Sequence, residues 1–232
     1  MKRYGVIVAA RTGSSRLPGK ALLPLAGLPM IVFLLRRLKG SQRMAKLILA
    51  TTTLTEDDRL ANLVQEEGIA VFRGSRDDVV GRFVEAAAAH AMEYVVRITG
   101  DCPFVDGASL DHCLNQCDAA GDFDLATTKG RFPVGIDYEI YRAEAMAALH
   151  REELTADERE HLTLPIYNRP ARFSILQLTP PTHWPEPHRA FTVDTRDDYD
   201  FAASLAAAMP SHETDIPTLL AISAQLAAAQ SP

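Results

Sequence analysis

The feature that most constrains this chain is the regular alternation of strand-length apolar runs with helical patterns through its first half. Parallel neighbouring strands need a long crossover connection, usually a helix, so this order of elements is typical of a parallel sheet covered by helices. We therefore predict an α/β fold of three layers, with a mostly parallel sheet and helices on both faces. The strands expected in the first half are YGVIVAA, KLILATT, IAVFRG, YVVRITG and DLATT.

The helices expected between these strands carry ordinary start and stop signals, such as Pro29 in a first turn and Gly40 or Gly68 beyond a last turn. The second half is less regular, but it has no internal repeat and no flexible linker, so we expect one domain over residues 1–232. The expected helices are PMIVFLLRRLKG, EDDRLANLVQEEG, RDDVVGRFVEAAAAHAM, GASLDHCLNQCDAAG, RAEAMAALHREEL, ADEREHLTLPIYN, RDDYDFAASLAAAMP and IPTLLAISAQLAAAQ. The further expected strands are VGIDYEIY, RFSILQL and AFTVDT.

A basic loop follows the first expected strand, and Arg11, Arg16 and Lys20 lie in it without any carboxylate. Backbone N–H groups and cations in such a loop bind anions, so the loop indicates a phosphate site. Residues 1–55 contain ten Lys and Arg and no Asp or Glu, although the whole chain has a net charge of −6. This asymmetry indicates a polyanionic ligand. Four of these basic residues also fit an exposed helix face: Arg36, Arg37, Lys39 and Arg43.

The spacing in the basic loop excludes two common phosphate-binding motifs. A dinucleotide fold needs G-x-G-x-x-G, whereas residues 13–18 are GSSRLP. The P-loop needs G-x-x-x-x-G-K-[ST], but Pro18 stands at its second glycine and Ala21 follows Lys20. Nucleic acid is disfavoured as a ligand, because the chain is acidic overall and no aromatic residues alternate with the basic ones.

The sequence predicts neither a membrane span nor an export signal. No apolar run reaches the roughly 18 residues of a transmembrane helix, and the first run is shorter than a signal-peptide core. Cys102, Cys113 and Cys117 are odd in number and contain no CxxC pair. We therefore expect a cytoplasmic protein whose thiols are reduced.

Several spaced motifs resemble one enzyme family. These blocks occur in the family's order over roughly residues 4–203, and they are ARTGSSRLPGKALLPLAGLPM, LATTT, VFRGSRDDVVGRF, VRITGDCPFVD, GIDYEIY, EREHLTLPIY and FTVDTRDDYDF. They are similar to the cytidylyltransferases that activate acidic sugars such as keto-deoxy-octonate and sialic acids, and more similar still to relatives associated with spore-coat polysaccharide synthesis. The resemblance implies a Rossmann-like sheet of the nucleotide-diphospho-sugar transferase type. It also implies transfer of CMP from CTP to a sugar acid, with release of pyrophosphate, in polysaccharide or glycoconjugate biosynthesis.

The resemblance also implies roles for individual residues. Arg11, Lys20 and Asp101 are the expected catalytic residues, and Asp101 and Asp194 are the expected ligands of Mg²⁺. Both aspartates follow apolar runs, although either could equally be a helix cap. The expected nucleotide-binding residues are Ala9, Ala10, Arg11, Gly13, Ser14, Ser15, Arg16, Lys20, Thr52, Arg73, Gly74 and Asp101.

The acceptor-sugar site is expected in the second half, within residues 130–190, which also form the expected dimerisation portion of a homodimer. An inter-subunit role suits its candidate residues equally well, and His161 alone fits a structural histidine. Asp78 and Arg82, one helical turn apart, suit an i,i+4 ion pair as well as a place in the nucleotide site. The candidate acceptor residues are Asp137, Glu139, Glu158, Arg159 and His161.

Two other classes of protein are also considered. A nucleotide-sugar glycosyltransferase often binds its metal through Asp-x-Asp, which Asp122-Phe123-Asp124 supplies, but at the start of an expected strand. Asp198-Tyr199-Asp200 has the same spacing within a helical pattern. A non-catalytic nucleotide-binding module is disfavoured because the chain has both the basic loop and the candidate metal carboxylates.

Overall fold

Strands and helices alternate along the chain, as the pattern predicts. The structure, a computed structural model, describes residues 2–230. The strands are β1 (Tyr4–Ala9), β2 (Pro24–Leu25), β3 (Leu28–Pro29), β4 (Met44–Thr52), β5 (Ala70–Gly74), β6 (Tyr94–Thr99), β7 (Leu125–Thr127), β8 (Glu139–Arg142) and β9 (Ile175–Gln177). The α-helices are α1 (Met30–Leu38), α2 (Asp58–Glu66), α3 (Val79–Ala89), α4 (Gly107–Ala120), α5 (Ala143–His150), α6 (Ala156–Glu160), α7 (Leu164–Tyr167), α8 (Arg196–Ala208) and α9 (Ile216–Gln230).

A seven-stranded sheet of order β5-β4-β1-β6-β8-β7-β9 forms the middle layer. The strands from β5 to β6 are parallel, β8 is antiparallel to both of its neighbours, and β7 and β9 are parallel. The predicted mostly parallel α/β sheet is therefore confirmed. Ala9 at the end of β1 is level with Ala50 in β4 and Thr99 in β6, so the segments after these strands leave the sheet at one edge.

Alternate residues of the central strand β1 pack against different helical layers. Val6 and Val8 belong to a core cluster with residues of α1 and α4, whereas Ile7 packs in a cluster with residues of α3 and α5. Successive side chains of a strand point to opposite faces, so a continuous apolar strand needs cover on both. The three-layer arrangement follows from this requirement.

Two findings bear on the expected setting of the chain. None of the helices within residues 2–230 has the length and apolarity that crossing a bilayer requires. The three cysteines are buried and unpaired, which agrees with the expectation of reduced thiols.

The expected strand AFTVDT is wrong, because residues 190–195 are extended but belong to no sheet. Two backbone hydrogen bonds hold this segment instead, from the N–H of Phe191 to the carbonyl of Val134 at 2.8 Å and from the N–H of Val193 to the carbonyl of Asp101 at 2.8 Å. Val193 is thereby fixed beside the end of β6.

The expected strand VGIDYEIY is shorter than its pattern indicates, since β8 begins at Glu139. Before it the chain turns at Gly135, whose φ is +85° and whose Cα approaches the backbone of Thr192 so closely that a Cβ would lie 2.5 Å from its nitrogen. A side chain cannot fit there, and glycine also tolerates the positive φ. The turn packs on the extended segment rather than extending the strand.

The expected helix over ADEREHLTLPIYN is divided into α6 and α7. Thr155 and Glu158 form a capping box that starts α6, and Pro165 lies in the first turn of α7, where its missing N–H has no cost. His161 lies at the end of α6, in the break between the two short helices.

The helical pattern suggested that Arg37 lies on an exposed helix face, and this is wrong, because its side chain is completely buried. It donates hydrogen bonds to the carbonyls of Phe104, Val105, His212 and Thr214 at 2.6–3.3 Å. The guanidinium therefore joins α1 to two segments that are distant in sequence.

Candidate active site

A cleft of about 570 Å³ opens at the carboxyl ends of β1 and β6. Most of the expected phosphate and metal residues line it, together with one expected acceptor residue. The cleft residues that the sequence predicted are Ala9, Ala10, Arg11, Gly13, Ser14, Ser15, Arg16, Lys20, Asp101, His161 and Asp194. Arg82, for which the sequence left open an ion pair or a place in the nucleotide site, also lines the cleft. The cleft side chains that the sequence did not predict include Arg76, Val79, Phe83, Arg97, Thr99 and Glu160.

Asp57, a buried carboxylate that the sequence analysis missed, fixes the start of the basic loop. It accepts hydrogen bonds from the backbone N–H and the hydroxyl of Thr12, both at 2.7 Å, and from the hydroxyl of Thr52. Burial opposes ionisation of Asp57, but the hydrogen bonds from Thr52 and Thr12 hold its pKa below the ordinary value. An ionised Asp57 thus ties the loop to the end of β4.

Lys20 holds the other end of the loop against the metal candidates. Its Nζ donates to Asp101 Oδ2 at 3.0 Å, to Asp194 Oδ1 at 2.9 Å and to the carbonyl of Val193 at 2.9 Å. Arg16 adds an ion pair with Asp194 at 3.0 Å. Although burial disfavours its charged form, Asp101 has a lowered pKa because Lys20 is adjacent. Residues from three distant parts of the chain therefore meet at one cation.

The donor set around Lys20 fits Mg²⁺ bound together with a phosphate. Asp101 and Asp194 contact the same ammonium, so both carboxylates face the place that a shared ion would occupy. Magnesium takes one or two protein carboxylates and completes its shell with water and phosphate oxygens. Within residues 2–230 no group of three or more His, Cys, Asp or Glu side chains forms a metal cage, so a metal here would depend on those other ligands.

Three expected nucleotide residues lie beside the cleft but do not line it. Thr52 is buried against Asp57, and Gly74 is buried at the end of β5. Arg73 donates to the carbonyl of Thr52 at 2.8 Å and pairs with Asp58 at 2.6 Å. Their expected contact with the nucleotide stays a prediction.

Glu139 is buried, and its oxygens are fully occupied by neighbouring side chains. It pairs with Arg97 at 2.8 Å and Lys129 at 2.9 Å, and it accepts from the hydroxyls of Thr163 at 2.9 Å and Tyr167 at 2.8 Å. Burial opposes the charge, but the cations, Arg97 first, hold the pKa of Glu139 below its ordinary value. The carboxylate is an internal counter-ion, and the structure links it to the cleft through Arg97.

Asp137, the neighbouring expected acceptor residue, accepts from the N–H of Gly135 at 2.8 Å. It belongs to the turn that precedes β8, so it lies outside the strand that was expected over VGIDYEIY. Burial raises the pKa of the Asp137 carboxyl.

The remaining acceptor candidates separate into two places. Glu158 caps α6 and pairs with Arg169 at 2.6 Å, which lowers its pKa to about 2. Arg159 pairs with Asp78 at 3.1 Å. His161 is exposed and lines the cleft. The structure thus brings His161 alone of these three to the cleft, and the acceptor role of all three stays a prediction.

The suggested ion pair between Asp78 and Arg82 is wrong. Asp78 caps α3 by accepting from the N–H of Gly81 at 2.8 Å, and it contacts His150 at 3.1 Å. Arg82 donates instead to the carbonyl of Ser75 at 2.7 Å. The cap leaves Arg82 without a carboxylate partner among the described residues.

The Asp-x-Asp triplets do not form a metal site in this fold. Asp124 precedes β7, at the opposite edge of the sheet from the cleft, where it pairs with Arg142 and accepts from the N–H of Ser174 at 2.9 Å. Asp198 forms a capping box with Thr195 at the start of α8. These contacts account for both triplets as local structure.

Comparison with known proteins gives consistent results. A family model described as cytidylyltransferase matches residues 5–226. The spore coat polysaccharide biosynthesis protein SpsF of Bacillus subtilis is 34% identical over 205 residues, which cover 86% of this chain and 84% of that protein. A 3-deoxy-manno-octulosonate cytidylyltransferase of Geobacter sulfurreducens is 34% identical over 127 residues, 54% of this chain and 49% of the relative. A solved cytidylyltransferase structure from Leptospira borgpetersenii superimposes with a TM-score of 0.91 at 28% identity, covering 98% of this chain and 96% of that one.

Asp57→Asn tests how strongly the buried carboxylate holds the loop. An amide cannot accept all three hydrogen bonds, so we expect the free energy of unfolding at neutral pH to fall by about 1–3 kcal/mol. The folded pKa of Asp57 is depressed, so its contribution is present above the unfolded pKa of about 3.9 and is lost as pH falls through the folded value. Urea unfolding should therefore show a smaller gap between variant and parent near pH ~3 than at neutral pH.

The neighbouring Asp58→Asn is the matched control. Its carboxylate is half exposed and makes one surface ion pair with Arg73, so we expect a loss below about 1 kcal/mol. This role is contradicted if Asp57→Asn loses no more unfolding free energy than Asp58→Asn, or if its loss is larger at low pH than at neutral pH.

Proposed function

Because this chain belongs to the cytidylyltransferase family, we propose that it transfers CMP from CTP to an acidic sugar and releases pyrophosphate, in the biosynthesis of a surface polysaccharide or glycoconjugate. Family membership makes it a nucleotidyltransferase. The observation that best supports the proposal is the meeting of Lys20, Asp101 and Asp194 beside the basic loop at the carboxyl edge of the sheet.

The loop is suited to the triphosphate of CTP. Arg11, Arg16 and Lys20 supply cations, and Gly13 to Ser15 supply backbone and hydroxyl donors at the cleft surface. Preorganised donors of this kind stabilise the charge that develops on a leaving pyrophosphate. All three N–H bonds of the Lys20 ammonium are used within the chain, so Lys20 must release at least one partner before it can contact a phosphate oxygen.

The reaction itself is a displacement at phosphorus. An oxygen of the acceptor sugar attacks the α-phosphorus of CTP, its proton passes to solvent or to a base, and the bond to the β-phosphate oxygen breaks. Mg²⁺ bound by Asp101 and Asp194 would neutralise phosphate oxygens. The residues of the chain bind the triphosphate, orient it and stabilise the negative charge of the leaving pyrophosphate.

The direct test is to incubate the protein with CTP, Mg²⁺ and a panel of sugar acids and to measure pyrophosphate. We expect release with at least one acid and none with neutral sugars. Substituting ATP, GTP or UTP for CTP is the matched control. Pyrophosphate release that requires no acceptor, or CTP binding without transfer to any acid, contradicts the proposal.

Asp101→Asn tests the proposed metal site. The substitution preserves shape and removes the charge, and we expect the metal-dependent rate to fall by about 10²-fold or more. Folding should survive because Asp101 lies at the ligand edge rather than in the core, and circular dichroism checks this. A folded variant with the parental rate and the parental Mg²⁺ dependence would exclude Asp101 as a metal ligand.

We also propose that the protein works in the cytoplasm as a homodimer, with residues 130–190 at the interface. Strand β8 cannot pair across a dimer, because β6 and β7 flank it. The exposed side chain of Val134 and the edge strand β9, where Ile175 is exposed, are the better candidates. We expect a dimer mass by light scattering at micromolar concentration, and a monomer mass would exclude the dimer.

A further inference from the structure

Arg82 presents a buried charge to the cleft and forms no ion pair within the described residues. Its residue is 4% exposed, and it lines the cleft. Its Nη1 donates to the carbonyl of Ser75 at 2.7 Å, whereas its buried Nε has no hydrogen-bond partner in the described part of the chain. No carboxylate within residues 2–230 forms an ion pair with Arg82. Burial and the nearby positive charge of Arg11 lower the pKa of the Arg82 guanidinium, and Asp57 and Asp78, which lie beyond ion-pair distance, offset this only in part. A buried guanidinium without an ion pair is costly, so an anion from outside the chain would stabilise it.

Arg97 lies in the same cleft, on β6. Its Nη1 bonds Glu139 at 2.8 Å, and its other nitrogens have no hydrogen bond among the described residues. Lys129, Thr163 and Tyr167 take the other hydrogen-bonding positions on the carboxylate of Glu139. Glu139 therefore holds one nitrogen of Arg97 and leaves the other donors of the guanidinium free within the described chain. Glu139 is therefore a positioning residue, and the free side of Arg97 is available to a ligand.

These two arginines differ from the cations of the basic loop. Lys20 and Arg16 already have carboxylate partners in Asp101 and Asp194, and the loop adds the backbone donors that suit a triphosphate. Arg82 extends from α3 and Arg97 from β6, the strand that leads from β1 toward β8. A guanidinium presents a planar fork that matches a carboxylate.

We propose that Arg82 and Arg97 bind the carboxylate of the acceptor sugar and so select acidic acceptors, with Glu139 holding Arg97 in place. The inference rests on the proposed transfer of CMP to an acidic sugar. It assigns recognition of the acid group to the α3 side of the cleft and recognition of the triphosphate to the N-terminal loop.

The test measures pyrophosphate release with CTP, Mg²⁺ and two probe acceptors, 3-deoxy-manno-octulosonate and N-acetylneuraminate, each beside its methyl ester. For Arg97→Gln we expect the KM of the acid to rise roughly ten- to hundredfold, the size expected for a lost hydrogen bond to a charged group. Activity with the methyl ester and the Kd of CTP by calorimetry should stay within about twofold of the parent. Arg97→Lys keeps the charge without the fork and should be intermediate.

Two further variants and a control separate this role from a general loss of structure. Glu139→Gln should also raise the KM of the acid while leaving the Kd of CTP unchanged. Lys20→Ala should do the reverse, weakening CTP binding roughly tenfold or more. Arg59→Gln, an exposed arginine on α2 away from the cleft, should change neither quantity. Arg82→Gln is measured in the same way as Arg97→Gln, and Arg82→Lys replaces it if it does not fold.

The failures are distinguishable. A parent that binds CTP but transfers CMP to no acid of the panel overturns the proposed function, and this inference with it. An active parent whose Arg97→Gln and Arg82 variants retain the parental KM and the parental preference for acid over ester overturns this inference alone. The same holds if those variants weaken CTP as strongly as Lys20→Ala, because the arginines then bind the triphosphate.

Discussion

The arrangement of the cleft depends on one ammonium group placed between two carboxylates. Asp101 and Asp194 would repel each other at this separation, and Lys20 removes that repulsion by contacting both. Since the carbonyl of Val193 takes its third hydrogen, the group is saturated. The basic loop is consequently held onto the sheet edge, and with Arg16 paired to Asp194 two cations balance the two carboxylates where a triphosphate and a metal would exchange with the lysine.

The charges of the cleft fall into two kinds. At the loop, each end is held by carboxylates of the chain itself, Asp57 at the start and the pair that contacts Lys20 at the end. On the α3 side, Arg82 forms no ion pair within residues 2–230, and Arg97 shares Glu139 with Lys129. The first kind of charge preorganises a binding loop, and the second supports the proposed binding of an anion from outside the chain.

Much of this could be predicted from sequence because apolar periodicity is local. It identified the core strands and their helices, and residues that directly follow a strand, such as Asp101, could be placed at the ligand edge. Long-range contacts carry no such signal. Arg97 has the spacing of an ordinary strand residue. The sequence around Glu139 does not show that side chains from beyond residue 160 donate hydrogen bonds to its carboxylate. Arg37 follows a helical period that cannot show which distant segment covers it.

The long-range contacts of Arg37 and Lys20 also determine how much of the chain must be synthesised before the fold can be completed. The guanidinium of Arg37 reaches carbonyls 175 and 177 residues later in the chain, and Lys20 reaches Asp194 across 174. Closing such long loops costs entropy that is recovered only after the distant partner exists. A nascent chain on the ribosome can therefore build the parallel strands early, but it holds an open loop and a buried cation without its full set of acceptors until the last helices emerge.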